Sequence, residues 1–404
     1  MNLPVESQMK FGVFLGPEHK PTNNPTWDLQ RDLELVEHLD RIGFDEAFVG
    51  EHHSSGWEII GSPEVFIAAA AERTKHIKLA TGVISLPYHH PFMVAERMVL
   101  LDHLTKGRVI LGVGPGALPS DASMLGLEYS SLRERMEESL EAILALLDED
   151  GYVDRKTDWF ELRRAQLQMK PYTRPRFEVA VTAVVSPAGA MLAGRFGLPM
   201  LALAAASPAG RDALAEHWRI YSEQSAIHGH SEPSRADWRL VSTIHVAATR
   251  EEAERQTAYD MDAAAGYMFR DAGFLKAIYD QAGLPQDAPM LEVFRESGLG
   301  VIGDPSDAIA HIEEMQELSG GYGKHLIRVI DWASPEDTKR SLELFAREVA
   351  PHFQDSNRSR VVNWESFHAS EGEFQKQLGA ANQRARKRYE STRQSQEATD
   401  QAEA

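Results

Sequence analysis

Cysteine is missing from all 404 residues, which excludes disulfides, thiolate nucleophiles and cysteine-ligated metals. No run of about 18 apolar residues occurs, so no segment reads as a membrane-spanning helix. Positive charge is scarce: 42 Lys and Arg face 61 Asp and Glu, a net charge of −19. That field repels phosphate backbones and anionic lipid, so neither nucleic acid nor a membrane is expected as a partner. The opening MNLPVESQMKFGVFLGP lacks a charged segment followed by a long apolar one, so a cytoplasmic protein is expected.

What is present is an ordinary globular balance, 43% hydrophobic and 25% charged. The length suits one barrel of about 250 residues with insertions, or two ordinary domains. Short β-branched or aromatic runs alternate with segments of helical period. Eight strands are expected, at 10–15, 44–50, 77–86, 108–113, 177–185, 200–203, 239–247 and 324–330. Between them run apolar stripes such as Leu29, Leu33, Val36 and Leu39, or Val94, Met98, Leu101 and Leu104, at helical spacing. Regular strand–helix alternation implies parallel strands with right-handed crossovers. Eight repeats favour a (β/α)₈ TIM barrel over an open doubly wound sheet.

The expected barrel domain spans 1–354, with insertions at about 150–174 (a hairpin or irregular loop) and 251–299 (helical, broken by Gly266, Gly273, Gly283 and Pro285). Residues 355–404 turn rich in Gln, Arg, Ser, Glu and Ala. They read as a C-terminal helical arm over 361–389, lying on the barrel or on a second subunit, with a disordered final dozen residues.

A barrel works at the carboxyl ends of its strands. Five of the 16 histidines fall there: His19, His52, His53, His89 and His90. Neutral imidazole is the natural proton-transfer group near pH 7. Clustered histidines also suit a metal-dependent hydrolase, but their spacings match no familiar ligand signature such as HExxH, and no metal is expected. For His89 and His90 the plainer reading is that they satisfy carbonyls in crowded loops. Gly82-Val83 interrupts the third strand, as at a bulge or a close approach to a ligand. Gly112, Gly114 and Gly116 clear side chains from the fourth strand end, leaving space for a flat ring or a phosphate. Ser186 opens a helix, either as a plain N-cap or with free N–H groups facing a phosphate. Trp57 and Trp332 stand near the mouth, as core or as pocket.

The segments KFGVFLGP, GFDEAFVGEHH and IKLATGVISLPYHHPFMVAERMVLLDHLTKGRVILGVGPG, followed by the Ser186 segment, resemble the bacterial luciferase-like flavin monooxygenases across most of 9–350. HHSSGWEIIGSPE and GVGPGALPSDASMLG resemble the limonene monooxygenase branch, and diketocamphane monooxygenases more loosely. The resemblance implies reduced FMN delivered by a separate NAD(P)H flavin reductase, O2 adding at C4a to give a peroxyflavin, and oxygenation of a small apolar substrate such as a monoterpene. It implies a homodimer as well. His52 matches the family's active-site base, Gly82-Val83 its non-proline cis peptide beneath the flavin ring, and Ser186 a phosphate-binding serine. The luciferases' Cys-Arg pair is replaced by Gly114-Pro115, so their phosphate-holding arginine is absent. Tyr267, Met268 and Phe269 in the second insertion are candidate substrate contacts. Two neighbouring chemistries stay open: Baeyer–Villiger oxygenation of a ketone on the same cofactor, and hydride transfer with a deazaflavin. A flavin-binding protein without catalysis also stays open.

Overall fold

The computed structural model describes residues 8–16, 18–148, 151–266, 279–280, 283–285 and 287–402, with backbone only at 265–266 and 399–400. Eight parallel strands close on themselves: β1 (Lys10–Leu15), β2 (Glu46–Val49), β3 (Lys78–Thr81), β4 (Val109–Gly114), β5 (Glu178–Ala183), β6 (Met200–Ala202), β7 (Arg239–Val246) and β8 (Lys324–Val329). Each pairs with the next, and β8 returns to β1 from Lys10↔Lys324 to Leu15↔Val329. Closure gives every strand of the ring a partner on both sides. The fold is the eight-stranded barrel expected from the alternation.

Successive residues of a strand face opposite sides, which sorts the core into two shells. Phe14, Phe48, Ala80, Ile110, Leu201, Val241 and Leu326 fill the barrel interior. Their neighbours, among them Val13, Val49, Leu79, Leu111 and Ile327, pack outward against the helices. Glu46, Arg239 and Lys324 stand two residues before three of those interior positions, and Glu178 two before the buried Ala180; together they form the floor. Arg239 donates to Glu46 at 2.7 and 2.9 Å and pairs with Glu178 at 2.6 Å. Lys324 lies 3.1 Å from Asp237 and 3.5 Å from Glu178. On the opposite side of the apolar plug, toward the carboxyl ends, Val83 and Leu203 are partly buried.

Local chemistry explains the elements. Asn24 caps Pro25–Ile42 by accepting from the Thr26 and Trp27 N–H groups. Asp304 and Asp307 form a reciprocal capping box at the start of Pro305–Ser319. The first insertion is an antiparallel hairpin, Val153–Lys156 against Glu161–Ala165. The second carries the helices Arg250–Thr257, Met261–Gly266 and Met290–Ser297. Met261, Val293 and Phe294 pack with Ile330 and Trp332 into a separate apolar cluster beyond the end of β8, which makes Trp332 core. Tyr267, Met268 and Phe269 lie outside the described residues.

Three details differ from the sequence reading. The third strand is not continuous over 77–86: it stops at Thr81, and Ile84–Ser85 resumes pairing with Val113–Gly114. Gly300–Gly303, where no strand was expected, is a further strand paired with Thr243–Val246. Because β6 covers only Arg239 and Leu240, the rest of that edge of β7 is open for it. The chain divides into two compact units, 1–354 and 355–404. In the second unit, helices Arg358–Ala369 and Glu371–Ala402 run on where a disordered end was expected. Ala, Glu, Gln, Arg and Lys are strong helix formers and carry the pattern without apolar burial.

Candidate active site

β2 leads directly into Glu51, His52 and His53. The His52 backbone N–H donates to Ile60 O at 3.2 Å, closing this loop on itself. Its imidazole is gripped from two sides. Nδ1 lies 3.0 Å from Asp121 Oδ2, and Nε2 lies 3.5 Å from Glu58 Oε1. Asp121 comes from the short helix Pro119–Met124 beyond β4. Its second oxygen accepts the His53 N–H at 3.1 Å and the Ser54 hydroxyl at 2.5 Å. One carboxylate therefore fixes both the ring and the loop that carries it.

A further carboxyl sits behind this pair. Glu18, just past β1, is buried, and its Oε1 accepts from the Arg328 guanidinium of β8. Glu18 and Glu58 are joined by an isolated antiparallel backbone bridge. Burial pushes the Glu18 carboxyl up to about 7, against the pull of Arg328 and with help from Glu58. For His52, burial favours the neutral ring. The Asp121 hydrogen bond and the charges of Glu58, Asp121 and Glu18 outweigh it, holding the imidazole above its ordinary value. Asp121 itself is held below the carboxylate range, burial being overcome by its bonds from His52 and Ser54. The arrangement favours imidazolium, a proton donor, on a ring that sequence reading treated as a base.

The other rim histidines have plainer duties. Glu51 Oε1 accepts from His53 Nε2 at 3.0 Å and His89 Nε2 at 2.6 Å, and Oε2 accepts the Ser85 N–H at 2.6 Å. Despite burial, those bonds hold Glu51 at about 2. The three ligand atoms lie within 4.8 Å of one another, near enough to close on a metal ion, but here the carboxylate itself satisfies both rings. His19 bridges Asp32 at 2.8 Å and Asp331 at 3.4 Å. His90 packs edge-on to Phe160 of the hairpin, 6.0 Å between centroids.

The Gly82-Val83 peptide is cis, and the Gly82 N–H donates to Val49 O at 2.6 Å. Val83 lies against Gly114, where an added Cβ would come within 2.6 Å of Val83 Cγ2. Glycine at 114 is what lets Val83 sit at the mouth. Gly116 has φ +91°, and a Cβ there would meet the Tyr88 hydroxyl at 2.2 Å. That hydroxyl is buried with no hydrogen-bond partner among the described residues. Ser186 is half-buried, three residues beyond β5. It is not the cap of the following helix: Pro187 holds that position, and no side chain caps Ala188–Phe196.

His52, Gly82-Val83, Gly114 and Ser186 thus stand at or just past the ends of β2, β3, β4 and β5, four neighbours in the ring, along one arc of one rim. His52 is tied to the β4 loop through Asp121, and Val83 touches Gly114 directly. Ser186 stands at the far end of the arc. Sequence reading assigned no role to Asp121, Glu58, Glu18, Arg328 or Tyr88. Asp121 left one faint trace, an acid in the first turn after Pro119, but it lies 69 positions from the histidine it holds.

Comparison with known proteins places this geometry in context. The family model for luciferase-like monooxygenases matches residues 9–321. The limonene 1,2-monooxygenase of Rhodococcus erythropolis is 44% identical over 387 residues, covering 96% of this chain and 97% of the relative. The 4-hydroxyprotoasukamycin monooxygenase of Streptomyces nodosus subsp. asukaensis is also 44% identical, covering 86% and 93%. Among solved structures, the oxygenating constituent of 3,6-diketocamphane monooxygenase from Pseudomonas putida, a type II Baeyer–Villiger monooxygenase in complex with FMN, superposes with a TM-score of 0.73 at 27% identity, covering 85% of this chain and 98% of that one.

Proposed function

Because this chain belongs to the luciferase-like monooxygenases, we propose that it binds reduced FMN at the carboxyl rim and uses O2 to place one oxygen atom in a small apolar organic molecule. The observation that carries this reading is the arc from His52 through Val83 to Ser186. It offers a proton-handling group, an apolar floor and a helix start on adjoining strand ends.

These residues fit a flavin. Val83 and Leu203, capping the plug, suit the face of a flat ring. Gly114 keeps that platform clear, and the orphaned Tyr88 hydroxyl seeks a polar edge. Ser186 and the uncapped start of Ala188–Phe196 would hold the phosphate. With Pro115 where the luciferases carry arginine, backbone N–H groups and the helix dipole take a larger share of that charge. Reduced FMN, when bound, supplies the electrons that activate oxygen. His52 holds its proton at Nε2 and delivers it there, while Asp121 keeps Nδ1 occupied and the ring oriented.

Two relatives of equal identity carry different substrate names, so the monoterpene class is taken from the longer-matching one. The FMN complex of a Baeyer–Villiger enzyme favours a cyclic ketone as the second reading. That relative is an oxygenating constituent, which supports a separate NAD(P)H flavin reductase for this chain, with both working in the cytoplasm. A homodimer completes the proposal.

The test supplies purified protein with reduced FMN, O2 and either limonene or a bicyclic ketone. Oxygenated product is expected, and His52→Ala should cut its rate by about 10²–10⁴-fold with FMN affinity retained. Turnover supported only by a reduced deazaflavin would overturn the proposal.

A further inference from the structure

Asp121 and Glu58 account for both nitrogens of His52, yet a third carboxyl, Glu18, is buried beside them. Its Oε1 is matched by Arg328, whereas its Oε2 is buried with no hydrogen-bond partner among the described residues. The bridge between residues 18 and 58 sets the two glutamates side by side, and Glu58 in turn faces His52 Nε2 at 3.5 Å. Among the described residues, the groups that act on His52 here are Glu18, Glu58, Asp121 and Arg328, with His53 and Tyr88 beside Asp121.

Their count is unbalanced. With every carboxyl ionised, three negative charges face one permanent cation, Arg328. Protonating His52 reduces the excess without removing it. The pocket therefore draws in a proton, which resides on His52 or on Glu18. The raised values of both groups agree with that shared demand.

We propose that Glu18 is a positioning residue for the proton on His52: acting through Glu58, it sets the pH up to which the imidazolium form is kept. The inference rests on the reading of His52 as the proton donor of the oxygenation. In this role Glu18 acts through its negative charge.

Glu18→Gln removes that charge while keeping an oxygen for Arg328. Two measurements read the result. In the flavin-free protein, the His52 ring-proton resonances followed by NMR should titrate with a midpoint lower by about 1 pH unit. In turnover, the alkaline limb of the rate profile should fall to lower pH by the same amount, with the low-pH plateau and FMN affinity unchanged. Glu18→Asp, which keeps the charge, should restore both. If Glu18→Gln fails to fold, Glu58→Gln, which removes the intervening charge, must lower the same midpoint. An unmoved His52 midpoint in the folded variant overturns the proposal. A wild type that titrates as described but oxygenates nothing overturns the proposed function instead.

Discussion

The two ends of the barrel bury the same kinds of side chain and treat them differently. At the floor, Glu46 and Glu178 face two cations, Arg239 and Lys324. Burial opposes the charge on Glu178, but Arg239 and Lys324 prevail and hold it at about 2. At the mouth, Glu18, Glu58 and Asp121 share one arginine and one histidine, and Glu18 sits at about 7. A buried carboxylate matched by a permanent cation is locked; one that must share a histidine stays able to exchange a proton. Buried charge thus marks structure at one end and chemistry at the other, and the counter-ion decides which.

The largest effect should come from breaking the locked end. Arg239→Ala strands the buried Glu46 and leaves the half-buried Glu178 to Lys324 and Lys78, and it should lower unfolding stability by about 3–5 kcal/mol in denaturant titration. The fraction that stays folded should keep its pH profile, since the mouth is untouched. Equal disturbance of profile and stability would mean that the two ends are one network.

Acid tests the same division without mutation. His325, on the outward face of β8, bonds Ser242 and the Tyr322 hydroxyl, and His311 faces it from the helix behind. Burial lowers His325 to about 3 and His311 to about 4, so both are neutral in the fold. An unfolded chain takes up these protons as pH falls through 6.5. Their own contribution to stability should therefore be flat above pH 7 and decline from 6.5 toward 3–4. At pH 5 the loss should be roughly 2 kcal/mol per histidine, each pH unit costing about 1.4 kcal/mol. Unfolding curves at pH 7.5 and 5 check this. The pH 5 loss in wild type should exceed that in His325→Gln by the His325 share, roughly 2 kcal/mol.

Much of the architecture could be read from residues alone because buried parallel strands are short apolar runs set between periodic helices. Even Met200–Ala202, three residues long, stands out in that rhythm. Gly300–Gly303 does not, because its pairing depends on an edge that β6 leaves open, and no local pattern reports that. The floor was invisible for a related reason. Glu46, Glu178, Arg239 and Lys324 each stand two positions before a buried apolar residue, but only the closed ring brings the four together. At the mouth, His52 stood out in a local motif. Its partners Asp121, Glu58 and Glu18 lie in three different segments of the chain, and their roles appear only once charges and distances are known.

Asp121→Asn sharpens the view of the mouth. The amide still accepts from the loop, but it no longer offers a negative charge to His52. Loss of that charge lowers the His52 midpoint and should slow oxygenation about 10–100-fold, short of the about 10²–10⁴-fold loss expected without the ring. Unfolding stability should fall by less than about 2 kcal/mol. A larger stability loss would make Asp121 a floor-like residue.

The smallest effect belongs to Ser186, at the end of the arc where no buried carboxyl lies. Its hydroxyl is not engaged in capping the helix that follows, so removing it takes nothing from the fold. Ser186→Ala should leave the melting temperature unchanged and raise the FMN dissociation constant by about 5–10-fold, the worth of one hydrogen bond to a charged group at a half-exposed site. Riboflavin, which has no phosphate, should bind wild type and variant alike. That pairing separates a phosphate contact from a general weakening of the rim: if riboflavin affinity falls with FMN affinity, Ser186 shapes the loop and does not hold the phosphate.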